Sequence, residues 1–448
     1  MANVKIDLNK KVKPMKPLHA GGQPPLGGKD LIEYFHYVGE AGIPYSRLHD
    51  VGGAYGANRF VDVPNIFRDF DADADDPENY DFAFTDVLIS KMIENKVEPI
   101  YRLGVTIENY TSIKRYNTYP PADFKKWAKI CEMIVRHYNH GWANGFEFGI
   151  KYWEIWNEPD GNVPEPEKSG TWAGTPEQFY DMYVTATKHL RECFGDSIKL
   201  GGYASCGFYT VVAEPEKYGI DIPNTAKEDD PARSAQYHGF VTFFENFLDY
   251  VKENNAPLDF FTWHSYASTS HNVLMQSYVE KTLAEKGFSG VETHLNEWNN
   301  AYQREYRGTT CAASRAAAMM CAMHKTSIDM MCYYDSRIGP SMFAGLFDAN
   351  TTLPISTYYS FKAFGELYAL GNCVEIEEKD LFSLAAVSDD GEKKAVLLTN
   401  LKDESIIKTN VEGFKAYLIE KDVFLEEISV DTTNFELKKY QTVLLKNY

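Results

Sequence analysis

The chain has 448 residues, 44% of them hydrophobic and 24% charged, which is enough for one large domain and a smaller second one. Its formal net charge of −19 argues against nucleic acid or an anionic membrane as a partner, because both bind basic surfaces. Seven cysteines, an odd number without a CxxC pair, fit a reduced compartment better than a disulfide framework.

The N-terminal segment, MANVKIDLNKKVKPMK, contains lysines but no apolar run of the kind found in signal peptides. The most apolar long run, residues 312–323, is interrupted by Arg315 and is too short to span a bilayer. We therefore expect a cytoplasmic protein without a membrane segment, or a secreted one if a leader has been removed.

Strand-like and helix-like segments alternate from residue 31 to about residue 370, which is typical of a parallel sheet wrapped by helices. The strands are predicted near 16–20 and at 43–49, 97–103, 151–158, 198–203, 258–266, 291–297 and 328–335. The helices are predicted at 31–41, 80–95, 121–139, 175–194, 239–253, 272–286, 310–326 and 356–370. These units predict an α/β fold, a (β/α)8 TIM barrel over residues 14–370.

After Gly371 the pattern changes to short alternating runs without helix signals. The runs cover residues 374–378, 381–387, 394–398, 406–410, 416–419, 426–430 and 442–446. They predict a β-sandwich accessory domain over residues 371–448. An isolated strand at residues 4–8, within the first 13 residues, is expected to complete this sandwich.

Two of the predicted barrel strands end in a glutamate. The first is Glu158, in the segment KYWEIWNEPD at residues 151–160. Because the following Pro159 disfavours helical backbone at Glu158, we expect the backbone there to be extended. In VETHLNEWNN, residues 291–300, alternating apolar positions lead to Glu297. Because strand ends converge at the C-terminal face of a barrel, the two carboxylates are expected to face each other. Hydrolysis of an acetal needs such a pair, about 5 to 5.5 Å apart for retention and about 6.5 to 9.5 Å for inversion.

Both motifs resemble those of clan A glycoside hydrolases, which are retaining (β/α)8 barrels. WNEPD, residues 156–160, is similar to the acid/base motif on the fourth strand, and NEWN, residues 296–299, to the nucleophile segment on the seventh. Within the clan the chain most resembles glycoside hydrolase family 39, the β-xylosidases and α-L-iduronidases. This resemblance extends to YSRLHD, LGGYA and DFFTWHSYA at residues 45–50, 200–204 and 259–267.

The resemblance implies that Glu158 is the general acid/base, that Glu297 is the nucleophile, and that Asn157 holds the 2-hydroxyl of the sugar. The remaining predicted contacts with the substrate are Arg47, His49, His264, Tyr266, Trp298 and Asp335. Arg47 is expected to keep Glu297 ionised, and Tyr266 to orient it. Apolar surroundings and the charge of Glu297 are expected to raise the pKa of Glu158.

The chain departs from the family pattern at the eighth strand, where a tryptophan and an acidic pair usually occur. Here the segment reads CYYDSRIGPSMFAGLFD, residues 332–348, with Asp335 in the aspartate position. Arg337 is unusual there, and two interpretations stay open. Arg337 either binds an acidic sugar or pairs with Asp335.

These observations predict a retaining exo-glycosidase of the β-xylosidase type that acts on oligosaccharides by double displacement, without a cofactor or metal. The exo mode depends on insertions at 161–174 and 209–233, which are expected to wall off one end of the cleft. The alternatives are another clan A activity, such as α-L-arabinofuranosidase or α-L-iduronidase, and, in a different class, a carbohydrate-binding protein without turnover. Homo-oligomers that form through the sandwich are compatible with this composition.

Overall fold

The computed structural model describes residues 2–27, 32–51, 61–106, 118–161, 169–220, 238–338, 343 and 345–448. Its strands are numbered β1 to β19 and its helices α1 to α10 in chain order. Eight strands form a closed barrel in which every neighbouring pair is parallel. They are β2 (Ala20–Gly22), β5 (Tyr45–Leu48), β6 (Glu98–Leu103), β7 (Tyr152–Ile155), β8 (Lys199–Ser205), β9 (Phe260–Ser265), β10 (Glu292–Trp298) and β11 (Met330–Tyr333). The predicted TIM barrel is confirmed.

The helices alternate with these strands along the chain. They are α1 (Phe35–Glu40), α2 (Val63–Ile66), α3 (Ala83–Glu94), α4 (Phe124–His140), α5 (Pro176–Phe194), α6 (Tyr209–Ala213), α7 (His238–Glu253), α8 (Thr269–Lys286), α9 (Thr310–His324) and α10 (Ser356–Leu370). Within the described ranges, none of them combines the length and the apolar character that crossing a membrane requires.

Two boundaries near the N-terminus differ from the prediction. The helix expected at 31–41 begins only at Phe35, because a short antiparallel pair, β3 (Leu26–Gly27) with β4 (Ile32–Glu33), occupies the preceding residues. The first barrel strand lies at Ala20–Gly22 rather than at 16–20. Its two glycines let it fit closely between β11 and β5, since a Cβ at Gly22 would lie 3.2 Å from the carbonyl oxygen of Tyr333.

Nine further strands form one curled sheet, in the order β17-β16-β19-β14-β13-β12-β1-β15-β18. The strands are β1 (Ala2–Pro14), β12 (Asn372–Glu378), β13 (Phe382–Val387), β14 (Lys394–Thr399), β15 (Ser405–Thr409), β16 (Lys415–Glu420), β17 (Val423–Ile428), β18 (Asn434–Leu437) and β19 (Thr442–Lys446). The curled sheet is consistent with the predicted sandwich, and β1 pairs antiparallel with β12 and parallel with β15. The domain boundary at residue 371 stays a prediction.

The barrel interior changes character along its axis. Its N-terminal part is an apolar cluster of Ala20, Ile100, Tyr152, Phe260, Met330 and Cys332. Side chains two positions apart on a strand share a face, so Glu154 follows Tyr152 into the interior, nearer the C-terminal end. The polar groups of the candidate site therefore lie above an apolar floor.

Candidate active site

Glu158 lies just beyond β7, and its position is fixed by the neighbouring strand. Its backbone nitrogen donates a hydrogen bond to the carbonyl oxygen of Ala204 on β8, at 3.0 Å. The prediction of an extended backbone at Glu158 is wrong, because the φ angle of this residue, 50°, is in the left-handed region. Non-glycine residues in that region carry strain that the surrounding structure must hold, and such residues concentrate at functional sites.

Glu297 lies on β10, next to His264 on β9 in the parallel register. Tyr266 donates its hydroxyl to Oε1 of Glu297. The other oxygen, Oε2, lies 3.4 Å from Nη1 of Arg47 and 3.7 Å from Nδ1 of His264. The structure thus places Tyr266 and Arg47 against Glu297, and their orienting and ionising roles stay predictions.

His264 lies between the two glutamates. Its Nδ1 is 2.8 Å from Oε1 of Glu158, closer than to Glu297. One oxygen of each carboxyl and a ring nitrogen of His264 all lie within 4.8 Å of one another. The structure therefore brings together the two glutamates that the sequence places on different strands.

Arg47 connects the site to the buried layer beneath it. Its Nε donates to Oε2 of Glu154 and its Nη2 to Oδ1 of Asn157, both at 2.7 Å. Asn296 donates to the other oxygen of Glu154. Arg47 and Glu154 have 1% and 0% of their side chains exposed, so each charge depends on the other for compensation.

Burial raises the pKa of Glu158 to about 7, while Arg47 and a hydrogen bond with Cys206 act in the opposite direction. The sequence predicted this rise and named apolar surroundings as one cause, and burial is the largest cause here. The contribution expected from the charge of Glu297 stays a prediction. A carboxyl with this pKa can both give and take a proton near neutral pH.

Burial also raises the pKa of Glu297, and the proximity of Glu158 adds to the rise. His264, Arg47 and the hydroxyl of Tyr266 lower it. Arg47 thus acts in the predicted direction, but burial outweighs it. A cation and a hydroxyl donor thus both stabilise the carboxylate of Glu297.

The two histidines of the site are neutral. Burial lowers the pKa of His264 to about 4, and burial together with Arg47 lowers that of His49 well below its usual range. His49 Nε2 lies 3.3 Å from Oδ1 of Asp50. Nδ1 of His49, Nε2 of His264 and Nδ2 of Asn157 are buried and have no hydrogen-bond partner among the described residues.

The structure contradicts the predicted contact of Trp298 with the sugar. Trp298 is fully buried and packs between Tyr333 and Phe361 of α10, with ring centroids 5.0 and 6.3 Å away. Trp298 packs against α10 on the helix side of the barrel, whereas Asn296, the other neighbour of Glu297, faces the interior, because the register of β10 shifts between Leu295 and Glu297. Trp298 is therefore part of the core.

Asp335 is fully buried beyond the end of β11. Its Oδ2 lies 3.7 Å from Nη2 of Arg337, so of the two interpretations of Arg337 the structure favours pairing with Asp335. Residues 339–342 and 344 of the same segment lie outside the described residues. The contact of Asp335 with a sugar stays a prediction.

Four residues of the site were missed by the sequence reasoning. Glu154 bonds Arg47, and Asn296 bonds Glu154. Period-two alternation could have identified Glu154, four positions before Glu158, but not Asn296, because the register of β10 shifts between Leu295 and Glu297. Asp160 accepts hydrogen bonds from the Ser205 hydroxyl, at 2.6 Å, and from the backbone of Cys206. No local signal identified Cys206, whose contact with Glu158 arises only where β7 and β8 meet.

The spacing of Glu158, His264 and Glu297 would also allow them to hold a metal ion. The guanidinium of Arg47, 3.4 Å from Glu297, opposes a second cation there. The same arrangement suits a reaction in which positive charge develops on a substrate between two carboxyls.

Comparison with known proteins gives consistent matches. The family model for glycosyl hydrolases family 39 matches residues 59–319, more than half of the chain. A curated β-xylosidase from Geobacillus stearothermophilus is 20% identical over 403 residues, covering 80% of this chain and 70% of that protein. A glucosidase structure from Croceicoccus marinus has a TM-score of 0.75 at 19% identity, covering 100% of this chain and 98% of the other. A GH39 β-xylosidase structure from Caulobacter crescentus has a TM-score of 0.66 at 16% identity, covering 99% of both chains.

Proposed function

The chain belongs to glycosyl hydrolases family 39 and is a clan A glycosidase, and from this premise we propose that it is a retaining exo-glycosidase with β-xylosidase-like activity. Glu297 acts as the nucleophile and Glu158 as the general acid/base. The substrate is an oligosaccharide or a simple glycoside. Neither step of the proposed reaction involves a cofactor.

The proposal that the enzyme retains the anomeric configuration depends on the distance between the two carboxyls. One oxygen of Glu158 and one of Glu297 lie within 4.8 Å of each other. Retaining glycosidases hold their carboxyls about 5 to 5.5 Å apart, whereas inverting ones need about 6.5 to 9.5 Å to admit a water molecule between carboxylate and sugar. The observed separation favours direct attack by a carboxylate.

In the first step, an oxygen of Glu297 forms a bond to the anomeric carbon as the bond to the leaving oxygen breaks. Glu158 gives its proton to that oxygen, so the leaving group departs as an alcohol. Its pKa near 7 keeps a substantial fraction protonated at neutral pH. Nδ1 of neutral His264 lies 2.8 Å from Oε1 of Glu158, and in the tautomer that carries its proton on Nδ1 it donates a hydrogen bond to the carboxylate.

In the second step, Glu158 as a carboxylate takes a proton from water while the water oxygen bonds to the anomeric carbon. The bond to Glu297 breaks, and its electrons return to the carboxylate. The hydroxyl of Tyr266 and the guanidinium of Arg47 are placed to stabilise that returning charge. Two successive displacements restore the original anomeric configuration.

Buried polar atoms without a partner support a hydroxyl-rich substrate. Leaving such an atom unpaired costs about 1 to 3 kcal/mol, which a ligand that bonds it would recover. Nδ2 of Asn157, Nδ1 of His49 and Nε2 of His264 are three such atoms around the carboxyl pair. A sugar ring supplies several hydroxyls that can pair with them.

The exo mode stays a proposal that depends on two insertions. Residues 162–168 of the first and 221–233 of the second lie outside the described residues. The test is the product formed from a linear β-xylo-oligosaccharide. Release of single xylose units supports the exo mode, and internal cleavage into shorter oligomers contradicts it.

Aryl glycosides test the reaction type and the glycone together. The panel contains β-xyloside, β-glucoside, β-galactoside, α-L-arabinofuranoside, α-L-arabinopyranoside and α-L-iduronide. We expect turnover of the β-xyloside, with NMR showing that the first-formed sugar keeps the anomeric configuration of the substrate. Inversion would refute the proposed mechanism, while turnover of only the arabinofuranoside or iduronide would assign another clan A activity. Silence on every glycoside would favour a longer or branched oligosaccharide as substrate, or the binding-only alternative.

Replacement of Glu297 tests the nucleophile. Glu297→Ala should lower kcat/KM by more than the roughly 10² to 10⁴-fold that a single acid or base supplies, because no covalent intermediate can form. Glu292→Ala, at the opposite end of the same strand, is the matched control and should retain most of the activity. Circular dichroism checks that both variants are folded. A folded Glu297→Ala variant with normal turnover would exclude Glu297 as the nucleophile.

A further inference from the structure

Asp160 is a buried carboxyl at the barrel mouth to which the proposed mechanism assigns no role. It lies two residues after Glu158 and is 0% exposed. Its Oδ2 accepts a hydrogen bond from the hydroxyl of Ser205 at 2.6 Å, and its Oδ1 accepts one from the backbone nitrogen of Cys206 at 3.1 Å. Both donors lie at the C-terminal end of β8 or just beyond it, so this carboxyl connects the segment after β7 to the neighbouring strand.

The proton of the Ser205 hydroxyl is directed at Asp160. The same oxygen accepts hydrogen bonds from the backbone nitrogens of Gly207, at 3.3 Å, and Ala267, at 3.2 Å. A hydroxyl has one proton to donate and two lone pairs with which to accept. Because the two backbone donors occupy both lone pairs, the single proton of Ser205 is left for the carboxyl.

Glu158 and Asp160 belong to one tight turn. The backbone nitrogen of Gly161 donates to the carbonyl oxygen of Glu158 at 3.1 Å, which closes the turn over residues 158–161. The φ angle of Glu158, 50°, is one that a non-glycine residue keeps only where the surrounding structure holds it. Asp160 supplies side-chain contacts that hold this turn against β8.

The end of β8 is itself a fixed support. The backbone nitrogen of Ala204 donates to Oγ1 of Thr262 on β9 at 2.7 Å, and its carbonyl oxygen accepts from the backbone nitrogen of Glu158 at 3.0 Å. Strand β9 also carries His264, whose Nδ1 lies 2.8 Å from Oε1 of Glu158. The carboxyl of Glu158 therefore keeps its distance from His264 only while the turn stays fastened to β8.

We propose that Asp160 is a positioning residue whose two hydrogen bonds fasten the turn to β8 and so hold the carboxyl of Glu158 at the leaving oxygen of the substrate. The inference rests on the proposed role of Glu158 as the general acid/base. Asp160 transfers no proton to the substrate and acts only through Glu158. An acid must lie within hydrogen-bond reach of the oxygen that it protonates, and a misplacement of about 1 Å can lower the rate about 10²-fold.

Asp160→Asn separates the hydrogen bonds of this carboxyl from its charge. Burial raises the pKa of Asp160 to about 7, although the hydrogen bonds from Ser205 and Cys206 lower it. The variant cannot ionise, but its amide oxygen can take the position of Oδ2, which lies 2.6 Å from the hydroxyl of Ser205 and 3.2 Å from the nitrogen of Cys206. Both hydrogen bonds can therefore survive in Asp160→Asn, whereas Asp160→Ala removes them.

The leaving group of the substrate shows whether the acid is in place. The dinitrophenolate of dinitrophenyl β-xyloside departs without a proton, whereas the leaving oxygen of phenyl β-xyloside needs one. We expect Asp160→Ala to lower kcat/KM for phenyl β-xyloside about 10²-fold and for dinitrophenyl β-xyloside far less. Asp160→Asn should recover most of the loss. Equal losses on both substrates, or an Asn variant as poor as the Ala variant, would overturn the inference.

Two further variants separate this inference from the proposed function. Glu158→Ala should show the same preference for the dinitrophenyl substrate. If Glu158→Ala lacks it, the proposed function fails and the inference with it, whereas if only Asp160→Ala lacks it, the inference alone fails. Asp259→Ala is the matched control, because Oδ2 of Asp259 accepts from the backbone nitrogen of Leu200 at 2.7 Å near the other end of β8. Its ratio of rates on the two substrates should equal that of the wild type.

Amide hydrogen exchange tests the same contacts without turnover. In Asp160→Ala, residues 158–161 and 204–206 should exchange faster than in the wild type, while the rest of the barrel keeps its protection. Unchanged exchange in both segments would refute the proposal. If Asp160→Ala does not fold, Ser205→Ala serves instead, because it removes the shorter of the two hydrogen bonds, and it should show the same preference for the dinitrophenyl substrate. Its absence in folded Ser205→Ala would likewise refute the proposal.

Discussion

The barrel and the curled sheet bury very different interiors. Near its C-terminal end the barrel encloses the charged pair of Arg47 and Glu154 and, beside it, the two glutamates of the candidate site. The interior of the sheet is an apolar cluster to which Val396, Leu398 and Leu445 contribute fully buried side chains. One chain thus buries charge at the barrel mouth and only hydrocarbon in this cluster.

The difference follows from the cost of removing charge from water. Each buried ion costs several kcal/mol, and a partner only partly offsets that cost, so a buried ion pair is poor evidence for stability. An apolar cluster of the same size would hold a barrel together at least as well. The charges in the barrel are therefore best understood as part of the reaction site, and the sheet core as support.

The largest expected effect comes from removing the central cation of the barrel. Arg47→Met should lower the free energy of unfolding by about 3 to 5 kcal/mol, because Glu154 loses its compensating charge. Turnover should fall as well, since Asn157 and Glu297 lose their contacts. Arg68→Met, which removes an exposed pair with Asp81, is the control and should cost about 0 to 1 kcal/mol.

Chemical denaturation and kcat/KM measure both consequences of Arg47→Met. If Arg47→Met were as stable as the wild type, the charges of Arg47 and Glu154 would not be coupled. The contrast drawn here between the barrel interior and the sheet interior would then be wrong.

The corresponding change in the sheet should separate stability from activity. Leu398→Ala should lower the free energy of unfolding by about 2 to 5 kcal/mol, because it leaves a cavity in a fully buried cluster. kcat and KM should be unchanged at temperatures where the variant is folded. Leu398→Met should cost less than about 1.5 kcal/mol. An altered KM in folded Leu398→Ala would mean that the sheet contributes to the catalytic site.

The last prediction is a pH dependence of stability that arises at the barrel mouth. The folded-state pKa of Glu158, about 7, lies above its usual value of 4.5, so the folded state binds its proton more tightly than the unfolded state. The resulting stabilisation is complete below pH 4.5 and is lost as the pH rises through about 7. Each unit of pKa shift corresponds to about 1.4 kcal/mol.

Urea unfolding of wild type and Glu158→Gln between pH 4 and 8 measures this dependence. The variant should show a shallower loss of stability, while the part due to Asp160, whose pKa burial also raises to about 7, should remain. Identical slopes in both proteins would mean that the pKa of Glu158 is not raised by folding. Leu398→Ala should leave the slope unchanged, since it alters no ionisable group.

Alternation along the strands predicted much of the site. It placed Arg47 and His49 on one face, and Glu297 at the end of a strand that the structure sets beside His264. The same rule gives the observed face for Trp298 but the wrong one for Asn296, because β10 changes register between Leu295 and Glu297, so alternation alone did not decide which neighbours of Glu297 face the interior. The left-handed backbone of Glu158 could not be predicted, because Pro159 only disfavours helix and the contact with Ala204 is made by another strand.

The sequence by itself determined the barrel, the series of short strands after residue 371 and the two strand-end glutamates, because each depends on local periodicity and on turn residues. Only the tertiary structure decided that the carboxyls lie within 4.8 Å, that His264 lies between them, and that Arg47 is held by Glu154 and Asn157. Those distances arise from the closure of eight strands into one barrel. The physical reason is that periodicity fixes which way a side chain faces, whereas closure brings distant strands together and removes the water that otherwise sets their pKa values.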